Sequence, residues 1–390
     1  MTSDSKPVSV RYVITGLGTG GAERSLSELL EPLQRRGIEV RVTCLERRAH
    51  GVQTNVEAMT EVDFVGPGRL RSMRGIRRML GQQPPDVVHT TLFDADIAGR
   101  LASIATHIPV VSSVVNTSYE VPGGRHPDAS SPKLAAVRAI DGITARHLVT
   151  RFHALTEASA GAAVRTLGIS RALIDVVPRG RDTARLGSRT PQRRERVRSA
   201  LGLVDEQHVF LSAGRQEHQK GQETAVEAMS EVIRSHPTAV LLIAGREGAA
   251  SKRLTDTAAA IGVTGHVRFL GHREDLPDLM AAADVLVFPS LYEGFGGTIV
   301  EAMALGLPVV ASDIPVIREV AAESALLTPV GSSHELAEAM TTLLNNPGEA
   351  TRLADIGRKR FEANFTIESV ADRMAGFYRS VISTAGGGTA

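Results

Sequence analysis

The sequence lacks several features that would place a protein in a special class. It has one cysteine, Cys44, so no disulfide can form within the chain and nothing indicates an oxidising compartment. Its formal net charge is only +1, so it has no global field that would attract nucleic acid. No apolar run approaches the roughly 20 residues of a membrane span, and residues 1–8 lack a signal-peptide core. These absences predict a cytoplasmic protein without a nucleic-acid partner.

The remaining composition is that of an ordinary globular protein. The chain has 390 residues, of which 42% are hydrophobic and 22% are charged. Because a domain takes roughly 100–200 residues, this length predicts two domains. Cys44 lies within the alternating apolar run of residues 40–45, which favours a buried structural thiol.

Short β-branched runs alternate with helical patterns along both halves of the chain. Residues 11–14, 39–44, 86–89, 109–112, 152–155 and 174–177 read as strands of the first half. Residues 178–206 are rich in Arg, Gly and Pro and read as a connection with a first helix, after which the alternation restarts. Apolar strands that alternate with helices indicate parallel sheets covered on both faces. We therefore predict an α/β protein with two doubly wound, Rossmann-like domains facing each other across a cleft, residues 1–185 and 186–365.

A glycine-rich turn in the second half carries the clearest chemical signal. The predicted strand at residues 284–288 leads into a turn with three glycines between positions 294 and 297, and then into a helix. Such a turn presents backbone N–H groups to an anion at a helix N-terminus. Glu293 and Glu301 bracket it, which would suit a sugar diphosphate: amides for phosphates, carboxylates for hydroxyls. Considered alone, the turn is also consistent with a simple helix-capping turn flanked by two incidental glutamates.

Two cations follow the strand predicted at residues 209–212. Arg215 and Lys220 leave the carboxyl end of this strand, where both can face one crevice. Arginine offers a fork to phosphate oxygens and lysine a point charge, so together they can neutralise a diphosphate leaving group without a metal. Two solvated cations on a loop are the alternative, which the second phosphate-type turn in the same domain disfavours.

These motifs together resemble the retaining glycosyltransferases of family GT4, which have the GT-B fold. The resemblance rests on Gly214-Arg215, Lys220-Gly221 and the Glu293-x7-Glu301 pair, and it extends to the glycine loop at residues 18–24 and to the runs 86–89 and 308–313. It covers nearly the whole chain. It implies that a helix at 366–384 crosses back to the first domain, and the Gly-rich tail at 385–390 is predicted to be disordered.

The resemblance implies a role for each matching side chain. Arg215 and Lys220 would hold the diphosphate, Glu293 would accept hydrogen bonds from the donor sugar, and Glu301 would bind the ribose. Transfer would retain the anomeric configuration and need no metal, and the departing phosphate would take the acceptor proton. No cofactor is expected beyond the co-substrate, a nucleotide-diphosphate sugar that we take to be UDP-linked because UDP donors are frequent in the family.

Backbone positions would complete the donor site. Backbone amides from the turn would contact sugar and phosphate, and the residues concerned are Gly294, Phe295, Gly296, Gly297 and Thr298. The loop that contains Arg268 and Leu270 would border the base. Gly20 and Gly21 would approach the phosphate from the other domain.

The acceptor side departs from the family pattern. Asn116 stands where the family often has a histidine that contacts the donor sugar, and an amide cannot change charge near neutral pH. His89, predicted at the end of a strand, is an alternative catalytic candidate, although the pattern somewhat favours a strand-end histidine with a backbone partner. Asp96 reads mainly as a helix cap but also as an acceptor-site candidate, and Tyr119 begins a pattern-free stretch, 119–133, that we interpret as an acceptor-side loop.

Other readings stay open. The missing histidine motivates a catalytically silent, sugar-nucleotide-binding partner of another transferase. A GT-B sugar-nucleotide epimerase is disfavoured by the glutamate pair, and a dinucleotide oxidoreductase by the irregular glycine loop at 16–21. The arginine-rich stretch Arg69–Arg78 reads as a solvated helix face, with contact to anionic lipid at the inner face of the membrane as the alternative. The acceptor could be a glycan, a lipid-linked glycan or a small molecule.

Overall fold

A computed structural model describes residues 6–115 and 132–386 and divides the chain into two compact units. The first unit contains residues 1–182 together with 366–390, and the second contains residues 183–365. The sequence places the corresponding boundaries after residues 185 and 365. Each unit is described separately below.

The first unit is built on a seven-stranded parallel sheet. Its strands are β1 (Val8–Ile14), β2 (Ile38–Cys44), β3 (Val62–Phe64), β4 (Val87–Thr91), β5 (Val110–Val114), β6 (Arg151–Ala154) and β7 (Ile174–Val176). The order across the sheet is β3-β2-β1-β4-β5-β6-β7. Its first six helices are α1 (Gly21–Gln34), α2 (Gln53–Glu57), α3 (Arg69–Gln82), α4 (Phe93–Ala102), α5 (Pro132–Leu148) and α6 (Glu157–Leu167). The strand β3 was not predicted from the sequence, because it is short and only half-buried.

The second unit repeats this architecture with six parallel strands. They are β8 (Val209–Ala213), β9 (Val240–Ala244), β10 (Val267–Gly271), β11 (Val285–Phe288), β12 (Val309–Ser312) and β13 (Ala325–Thr328), in the order β10-β9-β8-β11-β12-β13. The helices are α7 (Thr183–Leu186), α8 (Pro191–Ala200), α9 (Gln222–Ser235), α10 (Ser251–Ala260), α11 (Leu276–Ala282), α12 (Gly297–Leu305), α13 (Pro315–Ala321), α14 (Ser333–Asn345) and α15 (Pro347–Asn364). Two doubly wound parallel α/β units confirm the predicted fold class.

The last helix, α16 (Ile367–Gly386), belongs to the first unit. Its buried residues Val370, Met374 and Tyr378 join Leu26 and Leu30 of α1 in a core on one face of the sheet. A second core on the other face collects apolar residues from α3, α4, α5 and α6. The helix includes residues 385 and 386, which the sequence assigned to a disordered tail, and residues 387–390 lie outside the described residues.

Cys44 lies in the core shared with α1 and α16, fully buried at the end of β2. Burial raises the pKa of its thiol to about 12, because the thiolate would lose its hydration. The prediction of a buried structural thiol is confirmed.

Candidate functional site

The strand order of the second unit reverses at β8. From β8 the sheet continues to β9 on one side and to β11 on the other. In doubly wound sheets the crevice at the carboxyl ends of two such strands is where ligands bind. The loops that follow β8 and β11 carry the two constellations predicted from the sequence, so neighbouring strands bring them together.

The loops after β8 and β11 pack directly against each other. The backbone N–H of Leu291 donates to the carbonyl oxygen of Gln219 at 2.8 Å, and the side-chain amide of Gln219 donates to the carbonyl of Tyr292 at 2.9 Å. Gly221 has φ +58°, and a Cβ placed on it would lie 2.0 Å from the carbonyl oxygen of Pro289. Only glycine permits both this conformation and this approach. The two loops therefore form one surface.

Lys220 and Glu293 form an ion pair within this surface. The Lys220 ammonium lies 2.5 Å from Oε1 of Glu293, and the Ser290 hydroxyl donates to the same oxygen at 2.9 Å. The ammonium also lies 5.6 Å from the ring centroid of Phe288, the last residue of β11. Glu293 is buried and the Lys220 side chain is 20% exposed. A fixed carboxylate and a partly exposed cation thus stand side by side where the two strands end.

The helix α12 begins immediately beyond this pair. Gly296 is its N-cap with φ +85°, a left-handed conformation that favours glycine, and the first helical residue is Gly297. The free N–H groups of a helix start and its dipole favour an anion. The half-buried Gly294 and Thr298 flank this start, and Phe295 is buried in the unit, so its contribution to a ligand would come from its backbone.

Two further predicted donor residues occupy different environments. Arg215 is exposed on the loop after β8, and a contact with the diphosphate stays a prediction for it. Glu301 lies in α12 and is buried, at 2% exposure. We keep a ribose contact for Glu301 as a prediction.

Arg268 does not join the predicted donor-site residues on the loops after β8 and β11. It lies near the start of β10, at the edge of the sheet, and donates to the carbonyl oxygen of Leu201 at 2.8 Å. Its side chain is thereby engaged outside the loops after β8 and β11. Leu270 lies nearer the carboxyl end of β10 and is half-buried, so a contact with the base stays a prediction for that residue.

In the first unit, the two predicted glycines form the start of α1. Gly20 is the N-cap and Gly21 is the first helical residue. A Cβ on Gly21 would lie 2.7 Å from Nη1 of Arg179, and one on Gly20 would lie 2.4 Å from Oε2 of Glu23. Arg179 was missed in the sequence, although its position just after β7 could have pointed to it. Whether the glycines approach a donor phosphate stays a prediction.

His89 does not end a strand, as the sequence suggested. The strand β4 runs on to Thr91, so His89 lies in its middle and is only 1% exposed. Its Nδ1 lies 2.7 Å from the Tyr378 hydroxyl and its Nε2 lies 2.7 Å from the Ser113 hydroxyl. Burial lowers its pKa well below the usual 6.5. This places a neutral histidine inside the unit, where side chains of α16 and β5 occupy both ring nitrogens.

His89 is part of a chain of hydrogen bonds with a defined direction. Nε2 of His153 can only donate to the carbonyl oxygen of Val177, at 2.8 Å, so its Nδ1 accepts from the Ser113 hydroxyl at 3.0 Å. The Ser113 oxygen therefore accepts from His89, and His89 accepts from Tyr378. We call these residues the histidine relay; it requires both histidines to be neutral.

Asp96 lies in a second buried polar cluster, on α4. The Thr90 hydroxyl donates to its Oδ1 at 2.5 Å, and Arg100 lies one turn further along the helix. Burial raises its pKa to about 7, which the nearby Arg100 only partly offsets. The predicted capping role is wrong, because the N-cap of α4 is Leu92 and no side chain caps it.

Asn116 lies outside the described residues, as do Tyr119 and the rest of residues 119–131 of the predicted acceptor-side loop. Within residues 6–115 and 132–386, no group of three or more His, Cys, Asp or Glu side chains could hold a metal ion. None of the described helices is long and apolar enough to cross a membrane.

The arginine-rich stretch forms the first three turns of α3. Its arginines are all exposed, while Ser72, Ile76 and Leu80 form the buried side of the helix. The apolar stripe is therefore covered by the unit itself, apart from Leu70, which is 65% exposed. This is the solvated helix face that the sequence favoured.

Both halves of the chain match models of known protein families. The family model "Glycosyl transferases group 1" matches residues 193–360, and the model "Glycosyl transferase 4-like domain" matches residues 20–180. Together they cover both units.

Several characterised relatives are glycosyltransferases. Glycogen synthase of Mycobacterium tuberculosis is 32% identical over 304 residues, 75% of this chain and 68% of that protein. The 2-deoxystreptamine glucosyltransferase of Streptomyces kanamyceticus is 28% identical over 75% of this chain and 74% of its own length. The lipopolysaccharide core mannosyltransferase LpsB of Rhizobium meliloti is 29% identical over 57% of this chain and 66% of its own length.

Solved structures share the fold. Anabaena HepE in complex with UDP-glucose superimposes with a TM-score of 0.83 at 23% identity, covering 95% of this chain and 99% of that one. WaaG, a glycosyltransferase involved in lipopolysaccharide biosynthesis, superimposes with a TM-score of 0.74 at 18% identity, covering 95% and 99% of the two chains. These similarities show the GT-B fold.

Proposed function

The chain belongs to the glycosyl transferases group 1 family and is a glycosyltransferase that uses a nucleotide sugar, and from this premise we propose that its donor is a UDP-linked hexose or N-acetylhexosamine, transferred with retention. The observation that carries the proposal is the Lys220–Glu293 pair beside the start of α12. A sugar diphosphate needs a cation and free amides for its phosphates and a carboxylate for its sugar hydroxyls, and this surface offers all three.

The role of each group follows from its charge and position. Arg215 and Lys220 would stabilise the negative charge that develops on the diphosphate as the sugar leaves, and the amides at the start of α12 would add to this. Glu293 would accept hydrogen bonds from the sugar and fix its orientation. The diphosphate oxygen itself would take the acceptor proton on the face it leaves, so the configuration would be retained without a strong base from the protein.

The relatives and structural neighbours, rather than the loops after β8 and β11, bear on the base of the donor. A structural neighbour was solved with UDP and UDP-glucose, which favours uridine, whereas a relative of 31% identity from Corynebacterium glutamicum is named as GDP-mannose-dependent. Thermal shifts with UDP, GDP and ADP, each alone and as its glucose or mannose conjugate, test the base. A shift with UDP ligands is expected, and a shift confined to GDP or ADP ligands overturns the uridine assignment.

Glu293→Gln tests the sugar contact separately from the nucleotide contact. We expect the variant to keep the thermal shift caused by UDP and to lose the additional thermal shift caused by UDP-glucose. The rate at which it forms UDP from UDP-glucose should fall about 10²-fold. Glu338→Gln, an exposed carboxylate on α14, is the matched control. Equal UDP-glucose shifts in Glu293→Gln and wild type would remove Glu293 from the sugar site.

Retention can be measured without knowing the acceptor. Slow hydrolysis of UDP-α-glucose should first give α-glucose, which proton NMR distinguishes from the β anomer before they equilibrate. Initial β-glucose would contradict retention. Binding of UDP-glucose without any release of UDP would favour the alternative of a catalytically silent partner.

A further inference from the structure

A cavity of about 110 Å³ lies in the first unit beside the carboxyl ends of β4 and β5. The helices α4, α5 and α6 surround it, and its polar lining residues are Asp96, Arg100, Ser113, Asp141 and Thr166. It adjoins the edge of a doubly wound sheet at which such folds bind ligands. We call it the Asp96 cavity.

The single guanidinium of the cavity is committed to Asp141. Nη1 of Arg100 lies 2.7 Å from Oδ1 of Asp141 and donates to the Thr144 hydroxyl at 3.1 Å, while Nε donates to the Ser112 hydroxyl at 3.0 Å. The distance from Nη2 of Arg100 to Oδ2 of Asp96 is 3.9 Å, beyond hydrogen-bond range. Two carboxylates therefore share one cation, and Asp141 holds it.

Asp96 is left with one oxygen that lacks a donor. Its Oδ1 accepts from Thr90, but its Oδ2 accepts no hydrogen bond from any residue in the ranges 6–115 and 132–386. The side chain is nonetheless nine-tenths buried, at 10% exposure. Oδ2 is not among the fully buried polar atoms that lack a partner, so it keeps some accessible surface on an otherwise buried side chain. A ligand in the cavity that supplies a charged donor would form a stronger hydrogen bond with this oxygen than a neutral donor would.

We propose that the Asp96 cavity binds the ammonium group of an amino-substituted acceptor sugar or cyclitol, with Oδ2 of Asp96 as its partner. An ammonium group would bring a hydrogen-bond donor for Oδ2 and a second positive charge, where two carboxylates otherwise share the charge of Arg100. A hydroxyl brings only the donor. The inference rests on the proposed function, because it takes the cavity as part of the acceptor site.

Direct binding of a monosaccharide tests this inference. D-Glucosamine is the probe, with N-acetylglucosamine and glucose as the matched neutral ligands, and saturation-transfer NMR on the full-length protein gives the affinities. We expect wild type to bind glucosamine about tenfold more tightly than either neutral sugar, since a charge-assisted hydrogen bond is the difference. Equal affinities for the three sugars would overturn the proposal.

Asp96→Asn identifies the group responsible. It preserves the shape of the carboxyl group and removes its charge, and it should abolish the preference for glucosamine while leaving glucose binding unchanged. Asp94→Asn, at an exposed carboxylate on the same helix, should keep the preference. If Asp96→Asn keeps it as well, Asp96 is not the partner. The thermal shift with UDP is measured on the same samples: if it persists while the preference is absent, only this inference fails, and if it is absent, the proposed function fails.

Discussion

Replacing His153 by Gln should remove a defined part of the acid sensitivity of the first unit. The pKa of His153 is lowered by burial to about 4 from the usual 6.5, and that of His89 is also well below 6.5. At a pH between the folded and the unfolded pKa of a histidine, the unfolded chain binds a proton at that histidine and the folded chain does not. Stability is therefore lost as the pH falls from about 6.5 towards 4.

The size of the loss follows from the unfolded state. At pH 5 the protonated form of an unfolded histidine exceeds the neutral form by a ratio of about 30, so the buried neutral His153 lowers the free energy of unfolding by about 2 kcal/mol between pH 7 and pH 5. Asp96 acts in the opposite direction, because its pKa is raised to about 7 and the folded chain gains a proton over this range. Its gain of about 2 kcal/mol offsets one histidine. Only the difference between variant and wild type isolates His153.

Cys44 provides the assay. It is the single cysteine of the chain and is fully buried in the first unit, so its reaction with a dithiodipyridine reagent in increasing urea reports unfolding of that unit alone. The free energy of unfolding is measured at pH 7 and pH 5 for both proteins. In His153→Gln the amide can still donate and accept but cannot titrate, so the change between the two pH values should differ from wild type by about 2 kcal/mol.

A matched control comes from an exposed histidine of the same unit. His50→Gln should leave the pH dependence of Cys44 labelling unchanged. If His153→Gln shows the same pH dependence as wild type, a neutral buried His153 is refuted, and with it the direction assigned to the histidine relay.

Four further experiments address the loops after β8 and β11 (which we call the donor loops), the acceptor side and α3. Lys220→Met should lower the rate at which UDP forms from UDP-glucose by about 10²-fold or more, because the cation proposed to stabilise the leaving diphosphate is lost. Gly221→Ala should destabilise the second unit by about 3 kcal/mol, since φ is +58° and the new Cβ would meet the Pro289 carbonyl. Asn116→Ala should lower turnover well over tenfold if the amide replaces the family histidine. Flotation with anionic liposomes tests the Arg69–Arg78 stretch, and co-flotation should weaken in salt if this face binds lipid.

Each of these has a result that contradicts it. The exposed Lys252→Met should behave like wild type, and equal rates for the two lysine variants would remove Lys220 from the site. Gly262→Ala has φ +76° but no atom within 4 Å of the new Cβ, so a cost equal to that of Gly221→Ala would exclude the contact with Pro289. Unchanged kinetics would remove Asn116 from the site, and the absence of co-flotation would end the membrane hypothesis.

The donor loops could be predicted from the sequence because their determinants are local. A parallel strand, a glycine-rich turn and a helix start are contiguous in the chain, and the alternation of such units dictates the sheet type. Gly296 and Gly221 mark positions where the backbone needs a left-handed conformation, and that need is visible in the residue type. The adjacency of β8 and β11 then follows from the doubly wound topology.

The buried polar groups of the first unit were decided by tertiary structure alone. His89 and Tyr378 are separated by 289 positions, and Arg100 and Asp141 by 41, so no local pattern connects them. The same residues on a surface would be solvated and unremarkable. Their behaviour comes from burial, which removes water and leaves each group dependent on whichever neighbour the packing supplies. The sequence by itself determined two sheets and the two loops for which we propose diphosphate binding. Only the tertiary structure decided which histidines are held neutral and which of two carboxylates holds the guanidinium of Arg100.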